Sequence, residues 1–327
     1  MFRTMSVCVS TFARQSERVR WCLLNSSLAA ALLVLSSVAF AGDSCEPTFI
    51  SDDRFEVSFS DNLAEFRVDS LVLEHPHFIF DFELGSLEVC GDATNQPLEI
   101  LGNEVFDGVN PELAARIDDL EFNFLQQLNP FGQTDLFDNC LVLSEGECDS
   151  PSSCVTDLDD RLMQAPAQTR RTGVCVEALD GLFEGTWPDG ESSTPNLPES
   201  GEAGCVVSEP VDTIFSLSTD DFDLDLGLKD VIIAGRFDQE EPTALVDGVM
   251  VGFLNQELAD DTEIVLETDL GDVTLNLGHD ILPSGDSGDP LPECGLRDHC
   301  DGPDARVVHK GACGWWFVFN IHAERIR

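Results

Sequence analysis

The sequence contains no tyrosine and only two lysines, Lys229 and Lys310, among its 327 residues. No site can use a phenol, and amine chemistry is confined to an L-K-D and an H-K-G context. Neither lysine stands in the G-x-x-x-x-G-K-[ST] setting that cradles phosphates, which excludes a P-loop enzyme. Basic residues are scarce as a class: 17 Lys and Arg stand against 62 Asp and Glu, for a formal net charge of -45. Nucleic-acid affinity rests on cations that neutralise phosphates, so a nucleic-acid partner is excluded. Long uninterrupted apolar runs are also missing. The longest candidate, Trp21–Phe40, is broken by Asn25, Ser26, Ser27, Ser36 and Ser37, which leaves it short of the ~20 apolar residues of a spanning helix. An integral membrane protein is therefore not expected. That includes a spanning barrel, whose aromatic girdles draw on Trp and Tyr and whose walls have no use for many cysteines.

The first segment reads as an address. Arg3, Arg14, Arg18 and Arg20 stand with one acid, Glu17, ahead of an apolar stretch densest at Leu28–Leu35. Ala39-Phe40-Ala41 then places small residues at the −3 and −1 positions that signal peptidase requires. The pattern predicts a signal peptide over residues 1–41, cleaved after Ala41, and an exported protein of bacterial type, periplasmic or extracellular. Lipid attachment at Cys45 is opposed by Gly42-Asp43-Ser44, which puts an acid and no leucine before the cysteine.

Removing that leader leaves 13 basic and 61 acidic residues, a net charge of -48 over 286 residues, and ten of the 12 cysteines. These are Cys45, Cys90, Cys140, Cys148, Cys154, Cys175, Cys205, Cys294, Cys300 and Cys313. An even count in an exported chain predicts disulfides, with connectivity left open. Zinc ligation would call for paired short spacings such as C-x2-C, whereas seven and five residues separate Cys140, Cys148 and Cys154. Such acidity keeps a chain soluble by self-repulsion at some cost to compactness, a cost that salt screens. It suits a saline or calcium-rich exterior, and it also suits a high-GC codon bias. With 43% hydrophobic residues and 19 Phe left after the leader, the chain has the material for a sizeable core and is not a disordered polyelectrolyte.

The mature chain reads as α+β and β-rich, with antiparallel sheets and two or three amphipathic helices held by disulfides. Phe55, Val57 and Phe59 alternate, then Phe66 and Val68, then Phe78, Phe80, Phe82 and Leu84, as half-buried strands do. Asn110 is placed to cap a helix over 111–128, with Pro111 and Glu112 in its first turn and Leu113, Ile117, Leu120, Phe124 and Leu128 as its apolar stripe. A Cys-rich excursion follows over 138–175. Residues 185–210, with four prolines among Gly, Ser and Glu, form a loop or linker. It separates a region 42–184 from a region 211–327, and the two together are read as one continuous domain or as two lobes. In the second region, Phe222–Leu228 alternates apolar and acidic residues and runs on into Val231-Ile232-Ile233. A helix is predicted over 242–258, on Leu245, Val249, Met250, Phe253 and Leu254. Ile264–Leu266 and Val273–Leu277 are further strands. Trp315–Phe319 is apolar on both faces and reads as a central strand.

Chemistry-bearing motifs are incomplete. Gly285-Asp286-Ser287-Gly288-Asp289-Pro290 resembles the GDSGGP around the nucleophile of trypsin-like serine proteases, which would make Ser287 the nucleophile. It departs from that pattern at Asp289, and the family's A-A-H-C base and I-V-G-G start are both missing: His75, His77 and His279 are not followed by cysteine. His75-Pro76-His77 offers two imidazoles for a metal that would need a further ligand from His279, His299, His309 or His322; the triplet is read in preference as an edge or turn between strands, where proline is tolerated. No cofactor is implied; calcium is the metal best suited to so many carboxylates. Its candidate ligands include Asp298, Asp301 and Asp304, residues 149–160, and the odd-numbered Asp221, Asp223 and Asp225, none at EF-hand spacing. Paired carboxylates for glycoside hydrolysis carry no signal among so many acids. Taken together the residues predict an exported, non-enzymatic binding or surface-structural module, with an apolar ligand, a cation or a protein as partner. The alternative is a secreted hydrolase acting through Ser287.

Overall fold

The computed structural model describes residues 45, 63–84, 87–100, 103–129, 137–170, 204–218, 223–239, 241–266, 273–282 and 307–326. Alternation of apolar and polar residues dictates most of what they form. In the strand β11 (Asp223–Phe237), Leu224, Leu226 and Leu228 are buried while Asp225 and Lys229 face solvent. A strand of that pattern must bury one face, and here the strands do so by closing on themselves.

The wall begins with β1 (Ala64–His75), which pairs with β6 (Phe124–Asn129). From there β6 pairs with β7 (Phe137–Ser150), and β7 with β8 (Ser153–Arg170). Next come β9 (Cys205–Ser208) and its continuation β10 (Val211–Ser218), both of which pair with β11. Finally β11 pairs with β12 (Ala244–Asn255), β12 with β16 (Ala312–Arg325), and β16 with β1. Every pairing is antiparallel, and the last one closes the ring. With β9 and β10 counted as one wall position, the result is an eight-stranded barrel, in which a closed sheet leaves no open edge. Two sets of shorter elements are inserted. Between β1 and β6 lie the hairpins β2 (Ile79–Leu84) with β3 (Leu87–Asp92) and β4 (Leu98–Ile100) with β5 (Asn103–Phe106), then helix α1 (Val109–Asp118). Between β12 and β16 lie helix α2 (Gln256–Asp261), the hairpin β13 (Glu263–Leu266) with β14 (Val273–Asn276), one π-helical turn (Leu277–Ile281) and β15 (Val307–His309).

The inward positions fill the barrel. Phe66 of β1 meets Phe237 of β11 with ring centroids 6.1 Å apart. Phe215 of β10 touches Phe124 of β6 at 5.1 Å and Phe319 of β16 at 5.3 Å. None of these pairs belongs to neighbouring wall strands, so the rings cross the interior. An eight-stranded barrel is just wide enough for side chains to fill. Inward glycines let walls approach: a Cβ on Gly252 would lie 2.8 Å from Val231 Cγ2, and one on Gly248 would lie 2.7 Å from the carbonyl oxygen of Ile321. A second apolar cluster, including Ile232, Val249, Val251, Phe253, Trp316 and Val318, occupies outward positions of β11, β12 and β16. This is why Trp315–Phe319 is apolar on both faces and central.

Several sequence expectations need correction. The helix expected over 111–128 ends at Asp118, and Phe124–Asn129 is a wall strand. Phe124 and Leu128 are four apart, a spacing that puts two residues on one side of a helix and equally on one side of a strand. The helix expected over 242–258 is the strand β12 followed by the short α2. Leu245, Val249 and Phe253 are again four apart, and Val246, Gly248, Val249, Val251 and Gly252 are all poor helix formers. Through Arg170, the Cys-rich excursion is the β7–β8 hairpin, part of the barrel wall rather than an appendage. Asn110 is not the cap either: the helix starts after Gly108, and the Asn110 side chain is engaged elsewhere. The expected loop or linker over 185–210 is not all loop: its Cys205–Ser208 is the wall strand β9, paired with β8 and β11, and β1–β16 pairing joins the regions on either side. The alternating run at Phe55–Phe59 lies outside the described residues.

Candidate functional site

Both lysines of the protein converge on one end of the barrel. The β15–β16 connection is the two-residue turn Lys310-Gly311, with φ of 49° and 85°. Two positive φ values in a row are the signature of the hairpin turn that matches strand twist. Opposite it, Asp230 sits at a bulge in β11 with φ of 51°, a left-handed conformation that aspartate tolerates better than most residues. Lys310 Nζ donates to both Asp230 oxygens at 2.7 Å, and His309 Nε2 lies 2.8 Å from Asp230 Oδ2. The backbone N–H of Asp230 donates to Asp212 Oδ1 at 3.2 Å, and Lys229 Nζ donates to Asp212 Oδ2 at 2.7 Å. Burial works to raise the Asp230 carboxyl, but hydrogen bonds from Lys310 and His309 and their charges outweigh it and hold it below the usual range. The Asp212 carboxyl is held low chiefly by its hydrogen bond from Lys229.

The His309 ring is walled by aromatics, with Phe253 at 5.0 Å and Trp316 at 4.7 Å. An Asp–His pair is the base-and-orienter half of a nucleophilic triad. Among the described residues no hydroxyl or thiol is hydrogen-bonded to His309, so the pair acts as a clamp between the β11 bulge and the β15–β16 turn. Sequence reading singled out the two lysines only by their rarity. It named His309 only as a further metal ligand for the His75 and His77 pair, and missed Asp212 and Asp230 because their partners lie 17 to 80 residues away.

His75-Pro76-His77 forms the connection from β1 to β2, across a cis His75–Pro76 bond. The two imidazoles stack with centroids 6.4 Å apart, and His77 Nδ1 lies 3.0 Å from Asp92 Oδ2. Burial works against the Asp92 charge, yet hydrogen bonds from His77 and Thr94 bring its pKa down to about 2. Of the other histidines His299 lies outside the described residues, and the rest are engaged elsewhere. His322 Nδ1 is 2.6 Å from Asp69, His309 is held by Asp230, and His279 lies 3.9 Å from Asp260. Among the described residues no group of three or more His, Cys, Asp or Glu is arranged to hold a metal ion. Asp225, on the outward face of β11, accepts a hydrogen bond from Ser216 at 2.6 Å.

Cys45 is bridged to Cys140, and Cys148 to Cys154 across the tip of the β7–β8 hairpin. Cys205 and Cys313 are also disulfide-bonded. Ser287, Asp221, Asp298, Asp301, Asp304, Cys175, Cys294 and Cys300 lie outside the described residues, and of Cys90 only its place in β3 is described. Among the described residues no helix is long and apolar enough to cross a membrane. No family model, no curated protein and no solved structure matches the chain.

Proposed function

We infer that this is an exported, non-enzymatic binding or surface-structural module that meets its partners through an acidic outer surface. The observation that carries this reading is the filled interior: Phe66, Phe124, Phe215, Phe237 and Phe319 cross the barrel and touch. A barrel of this size either holds a ligand or is packed with its own side chains, and here the packing favours a partner outside. Acids such as Asp118, Asp119, Glu121, Glu145, Glu147, Asp149, Asp225 and Asp247 are exposed. A field of that sign attracts cations and basic protein surfaces. On the β1–β16 face, Asp69, Glu74, Asn320 and His322 occupy outward positions and bond one another in pairs. Lipid would require apolar residues there.

The test is native mass spectrometry of the protein as its own host exports it, purified without chelator or detergent. A retained cation or a basic protein partner supports the reading, and so does a homo-oligomer, which would favour the structural version. A lipid mass would overturn the filled-barrel argument. A bare monomer that reacts with a fluorophosphonate at Ser287, with labelling lost in Ser287→Ala, would replace the reading with a hydrolase.

A further inference from the structure

Among the described residues, Glu65 is an acid whose setting the fold does not explain. It projects outward from β1, is only 4% exposed, and has no Lys, Arg or His within ion-pair distance among the described residues. A carboxylate out of water is costly unless something compensates its charge. Its neighbours are fixed by register: Gln127 lies directly across on β6, and Val142 beyond it on β7.

The hydrogen bonds around Glu65 use up the available protons. Gln127 Nε2 donates to Glu65 Oε1 at 2.8 Å and to Thr156 Oγ1 at 2.9 Å. Thr156 Oγ1 donates to the same Glu65 Oε1 at 3.0 Å. Both amide protons and the threonine proton are spent inside this triangle, which also fixes which end of the Gln127 amide is nitrogen. What remains is acceptors: Glu65 Oε2 and Gln127 Oε1, the latter buried without a hydrogen-bond partner. Gln127 is 3% exposed.

We propose that Glu65, Gln127 and Thr156 form a site for one monovalent cation, of the size of sodium or potassium. The ligands are one charged oxygen and neutral oxygens, the donor chemistry of a hard cation. A single positive charge neutralises a single carboxylate. A divalent ion would leave a net positive charge, two residues along the strand from Arg67. That guanidinium is itself buried and turned to Asn123 Oδ1 at 3.0 Å and to the Ile117 carbonyl at 2.6 Å. A water molecule would satisfy Gln127 Oε1 but would leave the Glu65 charge uncompensated; a cation does both. The site is independent of the function proposed above, because it lies in the wall of the barrel and acts on folding.

The experiment compares thermal unfolding of the full exported protein in sodium, potassium and tetramethylammonium chloride at matched ionic strength and pH, so that general screening is held constant. The metal cations should raise the melting temperature above tetramethylammonium by about 3–6 °C, and Glu65→Gln should lose that difference. Equal melting temperatures in all three salts, or a Glu65→Gln protein that keeps the full difference, would overturn the proposal. If Glu65→Gln does not fold, rubidium-soaked crystals of the unaltered protein decide. An anomalous peak against Glu65 and Gln127 supports the site, and its absence there rejects it.

Discussion

The carboxamide of Asn110 pairs with the backbone of Leu73 in both directions. The Leu73 N–H donates to Asn110 Oδ1 at 2.7 Å, and Asn110 Nδ2 donates to the Leu73 carbonyl at 2.9 Å. On its other side Leu73 is paired with Phe319 of β16, while β6 pairs with β1 only from Ala64 to Arg67. Beyond that point Asn110 stands in for the missing strand. Leu73 is buried, so an unpaired N–H and carbonyl there cannot turn to water. Asn110→Ala should cost about 1–3 kcal/mol in urea unfolding. Asn110→Asp should be worse at neutral pH, because it sets a charged acceptor against the Leu73 carbonyl. A cost within error of zero for both would show that the pairing contributes nothing.

Phe215 tests the packed interior. It is fully buried and touches Phe124 and Phe319, which belong to different walls. Phe215→Ala removes a ring that no neighbour can replace without moving a strand, and should cost about 3–5 kcal/mol. The space left is apolar, so benzene or xenon should bind the variant and raise its melting temperature while leaving the parent unchanged. Benzene raising the parent's melting temperature as much would mean that the barrel already holds a ligand-sized space.

Period-two segments were legible in the sequence where a strand shows its solvent side as acids, and Asp225 between Leu224 and Leu226 is the clearest case. Trp315–Phe319 was legible as central because nothing polar interrupts it. Helices were harder, since residues four apart share a side in either structure and only the glycines and β-branched residues around Val249 argued for a strand. Barrel closure was not legible, because β1 and β16 stand at opposite ends of the described chain and no local pattern announces their pairing. The Lys310–Asp230 clamp and the Glu65 triangle were hidden for the same reason. Their partners come together only once the wall has closed, and in a chain with 62 acids no single carboxylate stands out.

Asp92 gives a pH prediction with a definite sign. Its folded pKa of about 2 lies below its ordinary value of 3.8, through bonds from His77 and Thr94 that outweigh burial. A group depressed on folding contributes stability above its unfolded pKa and loses it as pH falls through the folded value. The contribution should therefore be intact above about pH 4 and fade toward about pH 2. Protonating the many other acids works in the opposite direction, by relieving repulsion. The readout is consequently a difference: Asp92→Asn should be less stable than the parent at pH 5, and the gap should narrow toward pH 2. A gap of constant size across that range would mean that the Asp92 charge is not what the His77 and Thr94 contacts stabilise.

Two of the bridged cysteine pairs should differ in worth. Cys45–Cys140 closes a separation of 95 residues and Cys148–Cys154 one of 6. If a disulfide acts by restricting the unfolded chain, the long loop contributes about 4–5 kcal/mol and the short one about 2. The Cys148–Cys154 bridge also joins residues already held in register by the β7–β8 hairpin, so its removal leaves the strands paired. The Cys45–Cys140 bridge fastens Cys45 to the wall strand β7. The Gln164 side chain of β8 adds a second tie, donating to the Cys45 carbonyl at 2.5 Å. Paired Cys→Ser variants, unfolded by urea under otherwise identical conditions, should rank in that order. The opposite ranking would place the stabilisation in the folded hairpin rather than in the entropy of the unfolded chain.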